Sequence, residues 1–132
     1  MRAMLGRVRQ DQSMIDLELP QPRIRRIEVH AGDRSNPKDR GAHESPIIAT
    51  DQRDEIREAL AALLPAVAPI DDIALMEYSV LSFVFRDETG EELGSIGYKR
   101  SGWLSRPGLA GDRPLADPDL ILAWLSGHGW RY

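Results

Sequence analysis

The chain has 132 residues, 42% of them apolar, no cysteine, and a formal net charge of −4 at pH 7. That length and composition suit one domain with its own core, and the missing cysteine excludes disulfides, thiolate catalysis and cysteine-held zinc. Residues 1–44 carry nine Lys/Arg against seven Asp/Glu (net +2) and residues 45–132 carry eight against fourteen (net −6), so the body has the wrong sign for non-specific nucleic-acid binding.

Residues 1–13 read as a flexible leader. They contain arginines but no apolar run long enough for a signal-peptide core. No stretch approaches the roughly 18–20 apolar residues of a transmembrane helix. The chain therefore reads as soluble and cytoplasmic. Its arginine-heavy composition, with Lys38 and Lys99 the only lysines, reads as the coding bias of a GC-rich bacterium.

A single domain is expected over 14–132. Met14 to Leu19 alternates, with Ile15, Leu17 and Leu19 on one face, and predicts a strand. Arg23 to His30 predicts a second strand on Ile27 and Val29. Ile24 is out of phase with that pair, which places the first half in a bulge or outside the sheet. Residues 31–46 are polar, with Gly and Pro at intervals and no apolar period. They read as a long surface loop, disordered more than functional.

Residues 51–64 predict a helix. Ile56, Leu60, Leu63, Leu64 and Val67 fall on one face. Thr50 or Asp51 is placed to cap it, and Pro65 to stop it near Leu64. Residues 73–100 predict a β-hairpin around the charged turn Asp87 to Glu91, with Gly90 as the positive-φ residue. A Gly/Pro-rich stretch, 101–114, follows. The last helix spans 118–126, with Asp117 as N-cap and Pro118 in the first position. Its apolar face is read as Leu120, Ile121, Trp124 and Leu125.

No residue is assigned a catalytic, cofactor-binding or metal-ligating role. His30, His43 and His128 stand apart in sequence, without a short metal-binding spacing. Capping accounts for Asp117 and Asp119 without a magnesium ion. Ser95 lies in Leu-Gly-Ser-Ile-Gly inside a strand, where the nucleophile elbow of a serine hydrolase needs a strand-to-helix turn. Gly94 and Gly97 instead suggest a bulge or a close backbone approach. Arg23, Arg25, Arg26, Arg34 and Arg40 are interleaved with Glu28, Asp33, Asp39 and Glu44, which weakens a phosphate-binding reading.

The expected fold class is α+β: a small, mainly antiparallel sheet with the central hairpin and both helices packed on one face. The general layout resembles that of small bacterial immunity and antitoxin proteins, a likeness of architecture that no residue motif carries. The functional expectation is a non-enzymatic protein-binding module that masks a basic partner. Glu88 and Glu91 would steer that partner, and Trp103, Trp130 and Tyr132 would anchor it. The alternatives are a small enzyme or ligand-binding domain with a pocket between sheet and helices, built on His30, His43 or His128, and a nucleic-acid-associated regulator.

Overall fold

A computed structural model describes residues 14–15, 20–34, 36–64, 66–67, 78–100, 102–105 and 113–130. In chain order the elements are β1 (Met14–Ile15), β2 (Arg26–Ala31), β3 (Ile48–Thr50), α1 (Arg53–Leu63), β4 (Ala66–Val67), β5 (Leu81–Arg86), β6 (Glu92–Tyr98), β7 (Trp103–Ser105), β8 (Arg113–Pro114) and α2 (Pro118–Gly127). The main sheet runs β3-β2-β5-β6-β7-β8, and every pairing in it is antiparallel. β1 and β4 form a separate two-stranded pair. The small α+β class follows, with two helices over an open antiparallel sheet. The predicted 1–13 leader, residues 16–19 of the predicted first strand and residues 73–77 of the predicted hairpin lie outside the described residues.

Side chains alternate across a strand, so the register assigns every residue to a face. Ile27, Val29, Leu81, Phe83, Phe85, Ile96, Tyr98 and Leu104 share one face through the pairs Ile27↔Phe85, Val29↔Phe83, Phe83↔Ile96, Leu81↔Tyr98 and Tyr98↔Leu104. They form one buried cluster with Ile56, Ala59, Leu60 and Leu63 of α1 and Ile121, Trp124 and Leu125 of α2. Both helices therefore cover the same face. The opposite face carries Arg26, Glu28, His30, Ser82, Val84, Arg86 and Ser95. Val84 is fully buried and yet stands outside the helical core cluster.

Several predicted details shift. The first helix begins at Arg53 with Gln52 as its N-cap. Thr50 accepts the Gln52 amide one residue ahead of the helix, and Asp51 is exposed and makes no cap. Val67 belongs to β4. Leu120 lies 52% exposed, off the core face of α2, because the buried positions are Ile121, Trp124 and Leu125. The second predicted strand, Arg23 to His30, is observed as Arg26–Ala31, three residues later at its start and one residue longer at its end. Ile24 is buried but precedes β2.

The hairpin turn is organised by Asp87. Its Oδ1 accepts the Thr89 amide, the Thr89 hydroxyl and the Glu91 amide, and Gly90 sits at φ +89°. The register slips between Phe85 and Arg86, which leaves Leu93 as the extra residue beside Gly94. A side chain at Gly97 would collide with the hydroxyls of Ser79 and Ser105, so this glycine serves close approach.

The polar loop after β2 is held by two carboxylates. Asp39 accepts the amides of Asp33 (2.8 Å) and Ala42 (3.3 Å), while the buried Asp33 accepts the amide of Ser79 (3.0 Å). The Arg34 amide reaches the Ser82 hydroxyl. These contacts fold the loop back onto the polar face of the sheet.

Candidate functional site

Two surfaces gather chemistry-bearing residues. On the polar sheet face, Glu28 accepts from Arg26 Nε at 2.9 Å and from Arg86 Nε at 3.1 Å, with His30 Nε2 at 3.3 Å. Its side chain is 12% exposed. That partial burial pushes the carboxyl up, but the donors of Arg26, Arg86 and His30 together outweigh it and bring the group down to about 2. A carboxyl held there has no proton to give at neutral pH. His30 is also clamped, because Nδ1 lies 3.0 Å from the main-chain oxygen of Glu44. Both of its partners are acceptors, so a neutral ring donates to one and a protonated ring to both. Arg34 reaches Glu92 at 3.2 Å on the same face.

The second surface is the outer side of the helical layer. Trp124 Nε1 donates to the main-chain oxygen of Glu55 at 2.9 Å, and the Trp124 and His128 rings are 4.1 Å apart. His128 Nδ1 lies 2.8 Å from the Trp124 carbonyl, which fixes Nδ1 as the donor. Its Nε2 is 3.4 Å from Glu55 Oε1, near enough for charge attraction but unaligned as a hydrogen bond. The Thr50 hydroxyl also donates to Glu55, and Thr50 first, then His128, lowers that carboxyl below the usual range. These contacts run from the C-terminal end of α2 to the N-terminal half of α1, so the helices pack antiparallel.

Further along the pair, a groove of about 420 Å³ opens between the helices. Glu58, Ala61 and Ala62 line it from α1, and Leu120, Ala123 and Trp124 from α2. Each helix contributes an i, i+3, i+4 triplet, the spacing of one helix ridge. Three alanines leave the trough shallow-walled, and the half-exposed Leu120 stands on its rim. Sequence reading missed this site. The alanines look like neutral helix formers, and only the pairing of the helices makes them a floor. The available signal was Leu120, which sits one position off the buried stripe.

A smaller cleft of about 210 Å³ lies among Pro22, Arg23, Arg25, Asp87, Glu88 and Thr89. Arg23 is already engaged there with Asp87 at 3.2 Å and Glu91 at 3.8 Å.

The residues expected to bind a partner are spread over the molecule. Glu88 and Glu91 are exposed at the hairpin tip. Trp103, half-buried, sits where its carbonyl accepts the Lys99 amide, beyond the opposite end of β6 and roughly 20 Å from the tip at strand rise. Trp130 is partly buried against the core after α2. Tyr132 lies outside the described residues. Of the three histidines, His43 is exposed in the loop, with Nε2 near the Asn36 carbonyl, and His30 and His128 belong to the two separate networks above. Arg23, Arg26 and Arg34 are each tied to a carboxylate, and Arg25 donates to the main-chain oxygens of Pro22 and Ile24. Among the described residues no group of three or more His, Asp or Glu could hold a metal ion. No helix among them is long and apolar enough to cross a membrane.

No protein-family model, curated protein or solved structure matches this chain.

Proposed function

We propose that the chain is a non-enzymatic protein-binding module that contacts its partner through the helical layer. One observation carries this reading: an open apolar groove between α1 and α2, floored by Ala61, Ala62, Ala123 and Trp124 and rimmed by Leu120. The rest of that layer is acidic. Residues 51–64 and 117–128 hold six Asp/Glu and two Arg, a formal net of −4. Acidic charge around an apolar trough attracts a basic partner and then buries its apolar side chains.

The test is site-specific photo-cross-linking in cells that make the protein. A photoreactive residue replaces Ala123, and control chains carry it at Glu88 or Trp103. The expected result is one discrete adduct from position 123, identified by mass spectrometry and weakened by Ala61→Arg. Purified together, the adduct partner and this chain form a complex. Adducts from the controls but none from position 123 overturn the placement. Turnover of a small molecule that is lost on His30→Ala overturns the whole reading in favour of an enzyme.

A further inference from the structure

The groove has features that select among occupants. It is bounded by two antiparallel helices whose facing triplets, Glu58-Ala61-Ala62 and Leu120-Ala123-Trp124, cover about one turn each. An added β-strand needs an unpaired sheet edge, and the outer side of a helical layer has none to offer. A polyproline segment needs an aromatic-lined slot. Among the described lining residues the one aromatic is Trp124, 7% exposed and already bonded to Glu55 through its indole N–H. A third helix fits the trough. Its own i, i+4 ridge fits between the two flanking ridges, and alanine floors allow the interaxial distance of about 8–10 Å that packed helices adopt.

The charge of the rim selects further. Glu58 lines the groove, is exposed and has no ion-pair partner among the described residues. Asp119 is exposed at the same end as Leu120, where the start of α2 meets the end of α1. The nearest cation on α1, Arg57, is engaged with Asp54 at 3.2 Å. A second copy of this chain would set these carboxylates against each other, so charge argues against self-association through this face.

Resting on the protein-binding reading above, we infer that the groove takes one amphipathic α-helix of a partner, with Leu, Ile or Phe at i and i+4 facing the trough and Arg or Lys on both flanks. The seated helix makes the two-helix layer a three-helix layer. Its apolar pair covers Leu120, Ala123 and Trp124, and its cations lie over Glu58 and Asp119.

Selection from a display library of random 18-residue peptides on the full chain tests this. The expected winners carry large apolar residues at i and i+4 with an excess of Arg and Lys. In titrations of the isotopically labelled protein, a synthetic winner shifts the amide resonances of residues 58, 61, 62, 120, 123 and 124. Glu58→Lys with Asp119→Lys weakens it about tenfold, as expected for two reversed rim charges, and raised salt weakens the wild-type complex. Winners that are proline-rich, strand-forming or acidic overturn the helical occupant. So do shifts confined to the polar sheet face or the hairpin tip. An empty selection alongside a persistent Ala123 cross-link overturns the helix and leaves the binding module standing. Loss of both overturns the two readings together. Concentration-dependent dimers abolished by Leu120→Arg make the occupant a second copy and also overturn the inference.

Discussion

The indole N–H of Trp124 donates to the main-chain oxygen of Glu55 across 69 positions of sequence. This bond ties α2 to α1 beside the groove and adds to the apolar packing of the two helices. It also fixes Trp124 in the floor of the groove, so the ring is not a movable anchor. Trp124→Phe keeps most of the ring and loses the bond, at an expected cost of about 0.5–1.5 kcal/mol. Trp124→Ala also loses the packing and costs about 3–5 kcal/mol. Urea melts of both variants check the order.

Glu28 gives the protein an acid-sensitive stability. Its folded carboxyl titrates at about 2, below its ordinary 4.5. The unfolded chain therefore binds the proton first, and stability is present above about 4.5 and drains as pH falls toward about 2. The full shift corresponds to about 3 kcal/mol as an upper bound, reduced by solvent screening of the partly exposed carboxylate. Glu28→Gln flattens this limb and lowers stability at neutral pH by about 1–3 kcal/mol, because Arg26 and Arg86 lose a charged acceptor. Chemical melts at a series of pH values measure both effects.

Gly32 anchors the polar loop. It sits at φ +96°, and the Asp39 carboxylate fills the space a side chain would need. Gly32→Ala costs at least about 1–2 kcal/mol for the left-handed backbone alone. It also displaces the carboxylate that accepts the Asp33 and Ala42 amides, so amide exchange at both residues should speed up. Unchanged exchange would separate the loop from this glycine.

Asp117 caps α2 by accepting the Asp119 amide at 3.1 Å. Asp117→Ala should cost about 1 kcal/mol and Asp117→Asn almost nothing, as both native-type caps accept the same bond. Thermal melts decide.

The fold was legible wherever periodicity or capping wrote it. The stripe Ile56, Leu60, Leu63 announced α1, Asp117-Pro118 announced α2, and Gly90 announced the hairpin turn. The short strands were not legible. Ile48–Thr50, Trp103–Ser105 and Arg113–Pro114 hold two or three residues each, too few for a period, and owe their state to pairing with neighbours. The polar loop was hidden for another reason. Its order comes from Asp33 and Asp39 bonding to main-chain amides, one of them 46 positions away, and no local pattern encodes that. Arg23 and Asp87 are 64 residues apart, so their pairing at the hairpin was equally silent. The candidate groove required knowing that residues 58–62 lie against 120–124, which is tertiary information.

The helical groove is the proposed partner-binding surface. The most direct test of that role is to fill the groove and leave the fold alone. Ala123→Trp places a large ring over the trough from an exposed helical position. The dissociation constant of the cross-linked partner is then measured by calorimetry for wild type and variant, beside their melting curves. The expected result is at least about a 30-fold loss of affinity, the effect of removing a 2 kcal/mol hot spot, with the melting temperature nearly unchanged. An unchanged dissociation constant in the folded variant would contradict that role.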